Sequence, residues 1–377
     1  MFSTNAPHKA SLDSFTLNGK MMRYSLFAPR LYNFCLSLGF TPGKIMPSRA
    51  FCSDESQGFP TILLAKHFGA FPFNHGRVGG IVATGRHGPH AHHGKDLLIV
   101  QASHVGYDPE TENFGEYRRF QTQGEHKSTS CGKITATLQW YEQEHALATQ
   151  SIFLTLDNDT HYLTIDKDLL KTDKAEGLFL NLDKLVGEAA RPDQSFSTAY
   201  RFKASKAFCQ NIDASAWQAN QRIAIGTHLK PDYFYFKRNI NEDTEGHSHL
   251  EHNLIAAMPW ILCADHPALA AAKINTQVEF DRTYRSIVRE PSYQGKNLLF
   301  MAGLHIDISP KEKQLFPLTK FIPWAAYHQT EQGQKNMIEQ AELTRLLRAQ
   351  STDNPDKIDL EIEINAMEAL QEVKIKP

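Results

Sequence analysis

The run KDLLIVQASHVGY, residues 95–107, is apolar at consecutive rather than alternating positions through its first half. A strand with one face in water alternates apolar with polar residues. A continuous apolar run therefore marks a strand covered on both faces, as in parallel and mixed sheets packed between helices. Helical segments stand nearby: LYNFCLSLGF (31–40) reads as an amphipathic helix ending at Gly39, and TILLAKHFG (61–69) as another closed by Gly69. Between them the turn TPGK leads into the extended stretch IMPSRAFC, and this alternation predicts an α/β fold with a mixed or parallel sheet flanked by helices. The central run also has a counterpart. KNLLFMAGLHIDISP (296–310) aligns without gaps on KDLLIVQASHVGYDP (95–109), and LCADHP (262–267) echoes FCSDES (51–56). A Cys-x-Asp followed by a strand-ending His thus occurs twice, with the cysteines 211 residues apart and the histidines 201. This suggests a diverged internal repeat.

Beyond about residue 150 the patterning changes. SIFLTLDND and THYLTID read as a β-hairpin around Asn158, PDYFYFKRN (231–239) as an aromatic strand, and the C-terminal stretch as a charged helix followed by an EIEIN strand or tail. The expected organisation is one domain over residues 1–150 and a second α/β region over 151–377, either an extension or a diverged second half.

Forty basic against forty-two acidic side chains leave a formal charge of -2, so no global field favours nucleic acid or an acidic membrane surface. No run approaches the roughly 20 apolar residues that a membrane-spanning helix needs. Small-molecule chemistry is the expectation that follows. The five cysteines are few, odd in number and scattered without a CxxC, which argues against a disulfide framework and for a reducing compartment. Cytoplasm is the expected location. The alternative is an organelle stroma, since Asp13 is the sole acidic residue before Asp54 and the leader carries Lys9, Lys20, Arg23 and Arg30, a composition like that of a transit peptide.

Thiolates with an imidazole suit zinc, and a catalytic zinc keeps three protein ligands with one open position. Cys52, His104 and Cys131 could form such a set, at one edge of an α/β sheet where ligand sites gather. Their separations of 52 and 27 residues match no short zinc motif, and free buried cysteines are more often plain core residues. Taken alone, the spacing leaves both readings open. Cys35 and Cys209 read as core. His247, His249 and His252 in HSHLEH could hold a second metal or be a surface segment, and GGIVATGRHG lacks the GxGxxG pattern of a nucleotide loop. Gly79 and Gly80 read instead as permitting close approach of backbone. Cys263, Asp265 and His305 would make a degenerate half-site, because a shift of 201 from Cys131 falls in EQGQKNM, which has no cysteine.

Four ordered blocks add a resemblance: LGFTPGKIMPSRAFCSDES, FNHGRVGG (73–80), LLIVQASHVGY (97–107) and STSCGKI (128–134). They resemble the low-CO2-inducible B/C protein family, a divergent branch of the β-type carbonic anhydrases, over roughly residues 31–140. The resemblance implies that Cys52, His104 and Cys131 hold Zn2+ and that Asp54 is the carboxylate beside the metal. It implies reversible hydration of CO2 to bicarbonate by attack of a zinc-bound hydroxide, with CO2 and bicarbonate as the partners. It also implies a homodimer, or a pseudo-dimer within one chain if the repeat is real.

The chain departs from the family pattern at the arginine that should hold Asp54: the two expected positions are Ser53 and Ser56. Arg49, Arg77 and Arg86 are the candidates to replace it. His87, His90, His92 and His93 are candidate proton carriers, and Glu55 a base should the site serve a zinc hydrolase instead. Without a partner Asp54 could close on the metal. A catalytically silent zinc-containing protein that works as a binding or scaffold module is therefore the alternative function.

Overall fold

The computed structural model describes residues 6–82, 94–119, 127–187, 191–241, 247–311 and 314–369. Two compact units make up the chain, and they do not follow the division expected near residue 150. One comprises Phe15–Cys131 with Asn275–Pro377, the other Met1–Ser14 with Gly132–Ile274. The segment Gly132–Ile274 of the second thus interrupts the first in sequence.

The Phe15–Cys131 and Asn275–Pro377 unit is built on an eight-stranded mixed sheet. Its spatial order is Met22–Arg23, Leu318–Gln329, Asn297–Ile308, Asp96–Asp108, Ile45–Ala50 and Phe73–Asn74, with Lys335–Glu339 beside Leu318–Gln329 and Asn113–Phe114 beside Asp96–Asp108. The strands from Asn297–Ile308 through Phe73–Asn74 run parallel, and Leu318–Gln329 turns antiparallel. The two matching runs of the sequence lie side by side, Asn297 opposite Asp96 and His305 opposite His104, so the 201-residue offset is the register of a parallel pair.

Both faces of this sheet are covered, which is why its strands are apolar at successive positions. Leu98, Val100, Leu299 and Met301 pack with Tyr24, Phe27 and Leu31 of the helix Tyr24–Ser37, Leu64 of Gly58–Phe68 and Leu343 of Gln340–Ala349. The alternate positions Leu97, Ile99, Leu298 and Phe300 face the other way and pack on Phe280 and Ile287 of the helix Pro267–Arg289. Phe280 stacks on Phe300 with ring centroids 5.2 Å apart. The helices end where the sequence places glycine: Gly39 and Gly69 have φ of 88° and 67°, conformations that side chains resist. The EIEIN segment is not a strand. It belongs to the helix Leu360–Glu368, whose first N–H groups are capped by Asp359 Oδ1 at 3.0 and 3.3 Å.

In the other unit the hairpin forms as its sequence demands. Ile152–Asp157 pairs with Thr160–Asp166 across Asn158 and Asp159, whose φ of 44° and 61° suit a tight turn. The pair lies in a five-stranded antiparallel sheet. Phe234–Lys237, inside the expected aromatic strand, pairs with Gly177–Leu180. HSHLEH falls in the helix His247–Leu254, and Cys263 caps a short helix, its thiol donating to Leu229 O at 3.5 Å. LCADHP therefore echoes FCSDES in letters alone. Among the described residues no helix is long and apolar enough to cross a membrane.

Candidate metal centre

Three elements converge at the carboxyl ends of the parallel strands. Ile45–Ala50 delivers Cys52 two residues past its end, the long strand Asp96–Asp108 carries His104, and a small hairpin of Glu116–Arg118 with Lys127–Thr129 delivers Cys131 two residues past its second strand. That hairpin is anchored to the long strand, because Gly106 N–H donates to Ser130 O at 2.6 Å. A Cβ at Gly106 would lie 2.6 Å from Glu116 O, so glycine is what lets the hairpin approach.

The ligand atoms of Cys52, His104 and Cys131 all lie within 4.8 Å of one another, and it is the sole such cluster of three or more His, Cys, Asp or Glu among the described residues. The two sulfurs are 3.9 Å apart. Two thiolates on a tetrahedral zinc, each at about 2.3 Å, stand roughly 3.8 Å apart, so the pair has the spacing a metal would require. All three side chains are buried. His104 turns Nδ1 to Asp307 Oδ2 at 2.9 Å, with Ser130 Oγ at 3.2 Å, and its Nε2 is buried without a hydrogen bond of ordinary geometry. A buried nitrogen left over beside two sulfurs is what a ligand set looks like from the protein side.

The environment favours thiolate at Cys52, while the hydrogen bond to Cys52 and burial push the Cys131 thiol up. The Cys131 S–H donating to Cys52 holds the Cys52 thiol well below its ordinary range, with His104 and the Gly79 N–H acting in the same direction against burial. Gly79 N donates to Cys52 Sγ at 3.2 Å. A Cβ at Gly80 would meet Ala102 O at 2.6 Å. These glycines are thus where backbone closes on both the sulfur and the neighbouring strand.

Asp54 caps the turn Glu55–Gln57, its Oδ1 accepting from Ser56 N–H at 3.1 Å. Its Oδ2 faces the guanidinium of Arg119 at 3.4 Å. Arg119 also binds Glu55 and donates to Ser128 Oγ, and it lies over the Tyr117 ring with its carbon 4.9 Å from the centroid. Among the described residues the arginine beside Asp54 is thus Arg119, which the sequence did not suggest. Arg49 is half-buried, 6.0 Å from the Phe51 ring centroid, and Arg77 is exposed in a short strand against Ile81. Arg86 and the histidines 87, 90, 92 and 93 lie outside the described residues. Arg119 sits in a polar stretch with no periodicity, so no local signal tied it to Asp54, 65 residues earlier. Asp307 was equally hidden: it follows His305 in the second of the matching strands and reaches His104 through the sheet.

Residues 22–191 match the model of the limiting CO2-inducible proteins B/C β-carbonic anhydrases. The resemblance read from the four blocks is thereby borne out, over a longer stretch than those blocks cover. Among solved structures the chain is similar to PtLCIB4, a homologue of the limiting CO2-inducible protein LCIB, at 13% identity and a TM-score of 0.51, covering 88% of this chain and 98% of that one. A point mutant of PtLCIB4, with alanine in place of a histidine, matches at 12% identity and a TM-score of 0.50, covering 90% and 98%. These likenesses show a shared fold. No curated protein sequence matches the chain.

Proposed function

We propose, from the match of residues 22–191 to the limiting CO2-inducible B/C carbonic anhydrase family, that this protein interconverts CO2 and bicarbonate at a zinc centre held by Cys52, His104 and Cys131. The observation that carries the reading is the spacing of the three ligand atoms, two sulfurs 3.9 Å apart beside a buried imidazole nitrogen left over by the hydrogen-bond network. A zinc ion there would supply a Lewis acid that makes water a nucleophile near neutral pH.

The chain's own residues do the rest. Asp54 stands two residues from Cys52, and its side chain, only 12% exposed, is held from two sides by Ser56 N–H and Arg119. Held there, it accepts a hydrogen bond from the reacting water and orients its lone pair. Arg119 engages that carboxylate from the hairpin side and would hold it back from joining the ligands of a bound zinc. The two thiolates give the centre more negative charge than three imidazoles would, so the pH profile of hydration should lie toward the alkaline side.

A second reading has its own observation. Arg119 is shared with Glu55, whose side chain is 61% exposed, so its hold on Asp54 is not exclusive. If Asp54 were to join the ligands, the protein would keep zinc without hydrating CO2. Stopped-flow CO2 hydration by full-length protein of known zinc content, beside Cys52→Ala and Asp54→Ala, separates the two. Fast hydration lost in Cys52→Ala supports the enzyme. Stoichiometric zinc with hydration at the buffer rate, at neutral and alkaline pH alike, overturns it in favour of the silent zinc protein.

A further inference from the structure

We infer that Asp307, on the second of the two matching strands, is the positioning residue that fixes the imidazole of His104 for metal. The inference rests on the metal centre proposed above and deepens it. It gives the strand Asn297–Ile308, more than a hundred residues beyond the end of the family match, a part in the site.

In the parallel pair His305 stands opposite His104, and Asp307 opposite Gly106. Side chains two apart share a face of a strand, so Asp307 falls diagonally from His104 on its own side of the sheet. Its carboxylate is fully buried. Four donors satisfy it: Oδ2 accepts from His104 Nδ1 at 2.9 Å, Gln57 Nε2 at 2.8 Å and Ser56 Oγ at 3.0 Å, and Oδ1 accepts from Thr319 Oγ1 at 3.0 Å. A carboxylate with four donors on it serves as acceptor to each, which obliges Nδ1 of His104 to carry the proton and leaves the Nε2 lone pair for a cation. Ser130 Oγ, at 3.2 Å, also touches Nδ1, but a neutral hydroxyl is a weaker partner than a carboxylate.

The same network reaches the other side of the centre. Ser56 and Gln57 belong to the turn that Asp54 caps, so Asp307 braces both the histidine and the turn carrying the catalytic carboxylate. His305 completes the arrangement. Its Nδ1 lies 2.5 Å from Gln57 Oε1, inside a wall of Tyr24, Phe51 and Phe321. Burial in that apolar wall keeps it neutral, and with Gln57 Nε2 turned to the Asp307 carboxylate the remaining Oε1 accepts from the His305 Nδ1–H. The histidine that matches the ligand His104 in the repeat thus supports the site without binding metal.

The test is Zn2+ affinity of the full chain, measured by competition with a chelator, for wild type, Asp307→Asn, Asp307→Ala and Thr319→Val. Co2+ substitution provides a thiolate charge-transfer spectrum as a second readout. Positioning predicts Zn2+ binding weakened about 10- to 100-fold in the Asp307 variants, the usual consequence of losing an outer partner of a ligand histidine. Thr319→Val removes a different bond to the same carboxylate and should leave the affinity close to wild type. A merely structural Asp307 predicts lower melting temperatures for the metal-free variants, Thr319→Val included, with unchanged Zn2+ affinity and an unchanged Co2+ spectrum, and that result would overturn the inference. Should Asp307→Ala fail to fold, the near-isosteric Asp307→Asn decides. Failure of the metal centre itself shows separately, as a wild-type chain that takes up no Zn2+.

Discussion

Arg119 reaches Asp54 from a different element of the fold: its guanidinium NH2 lies 3.4 Å from Asp54 Oδ2, between a hairpin edge and the turn after Cys52. The two side chains are 18% and 12% exposed, so the pair is shielded but not dry. Among the described residues, removing the guanidinium leaves Asp54 with Ser56 N–H alone. A hydrogen bond to a charged group contributes about 1.5–3 kcal/mol, so Arg119→Ala should slow CO2 hydration roughly 10- to 100-fold with zinc content unchanged. Arg119→Lys retains the charge without the planar fork and should fall between. Stopped-flow rates with metal analysis on the same samples check this, and wild-type hydration by Arg119→Ala would remove Arg119 from the mechanism.

Glu55 tests the sharing of that arginine. Its exposed carboxylate competes with Asp54 for one guanidinium, so Glu55→Gln should leave hydration at or above the wild-type rate. Were Glu55 instead the base of a hydrolase, the same change would abolish turnover of whatever ester or amide the protein cleaves. CO2 hydration and ester hydrolysis assays of Glu55→Gln beside Arg119→Ala read both possibilities.

The cysteines make the simplest test of the centre. Cys52→Ala or Cys131→Ala removes one of the three proposed ligands, so bound zinc should fall by an order of magnitude or more. Cys35→Ala, in the core at the helix Tyr24–Ser37, should lower thermal stability and leave zinc bound. Metal analysis after gel filtration separates these cases.

How far the sequence revealed these parts depended on whether the signal was local. Consecutive apolar residues at 97–100 required a sheet covered on both faces, and Leu97 and Leu98 do pack into opposite cores. The gapless match of 95–109 to 296–310 became a strand register, because neighbouring parallel strands buried alike are under the same constraints. Cys52, His104 and Cys131 needed the family pattern, since their separations carry no local geometry. Arg119 and Asp307 were out of reach altogether. Each meets its partner across sheet or hairpin, 65 and 203 residues away in sequence, through side chains that leave no periodic trace. The Ile-rich tail misled for the opposite reason: alternation in EIEIN suggested a strand, but Asp359 supplies a helix cap just before it.

His67 gives a pH dependence independent of the metal. It is buried in the helix Gly58–Phe68, and Asn354 Nδ2 lies 3.2 Å from its Nδ1 and donates to its backbone oxygen at 3.0 Å. Burial, with Lys66 and Lys357 nearby, pushes it down to about 4. The unfolded chain, with a histidine pKa of about 6.5, binds this proton first on acidification. Stability contributed by neutral His67 is therefore complete above about pH 6.5 and lost as the pH falls toward 4, at up to about 1.4 kcal/mol per unit. His67→Gln cannot titrate, so its deficit relative to wild type should shrink between pH 7 and pH 4.5. Thermal or urea unfolding of both proteins across that range checks the sign, and a deficit that grows with acid would contradict it.

Gly80 shows what close approach contributes, by comparison with a glycine that has none. Gly80 and Gly43 both sit at positive φ, 75° and 67°, so alanine strains either backbone by about 1 kcal/mol. Gly43 has open space where a Cβ would go, whereas at Gly80 that atom would lie 2.6 Å from Ala102 O and 3.3 Å from Ser103 Cα. Those are backbone atoms of the strand that carries His104, and they cannot rotate away. Gly80→Ala must therefore push the 78–80 turn off the strand, and with it the Gly79 N–H that donates to Cys52. We expect Gly43→Ala to cost about 1 kcal/mol and leave Zn2+ binding intact, and Gly80→Ala to cost roughly 2–4 kcal/mol and weaken Zn2+ binding as well. Chemical unfolding and Zn2+ competition on the two variants measure the difference, and equal losses in both would show that the approach of the glycine turn to the strand contributes nothing to the centre.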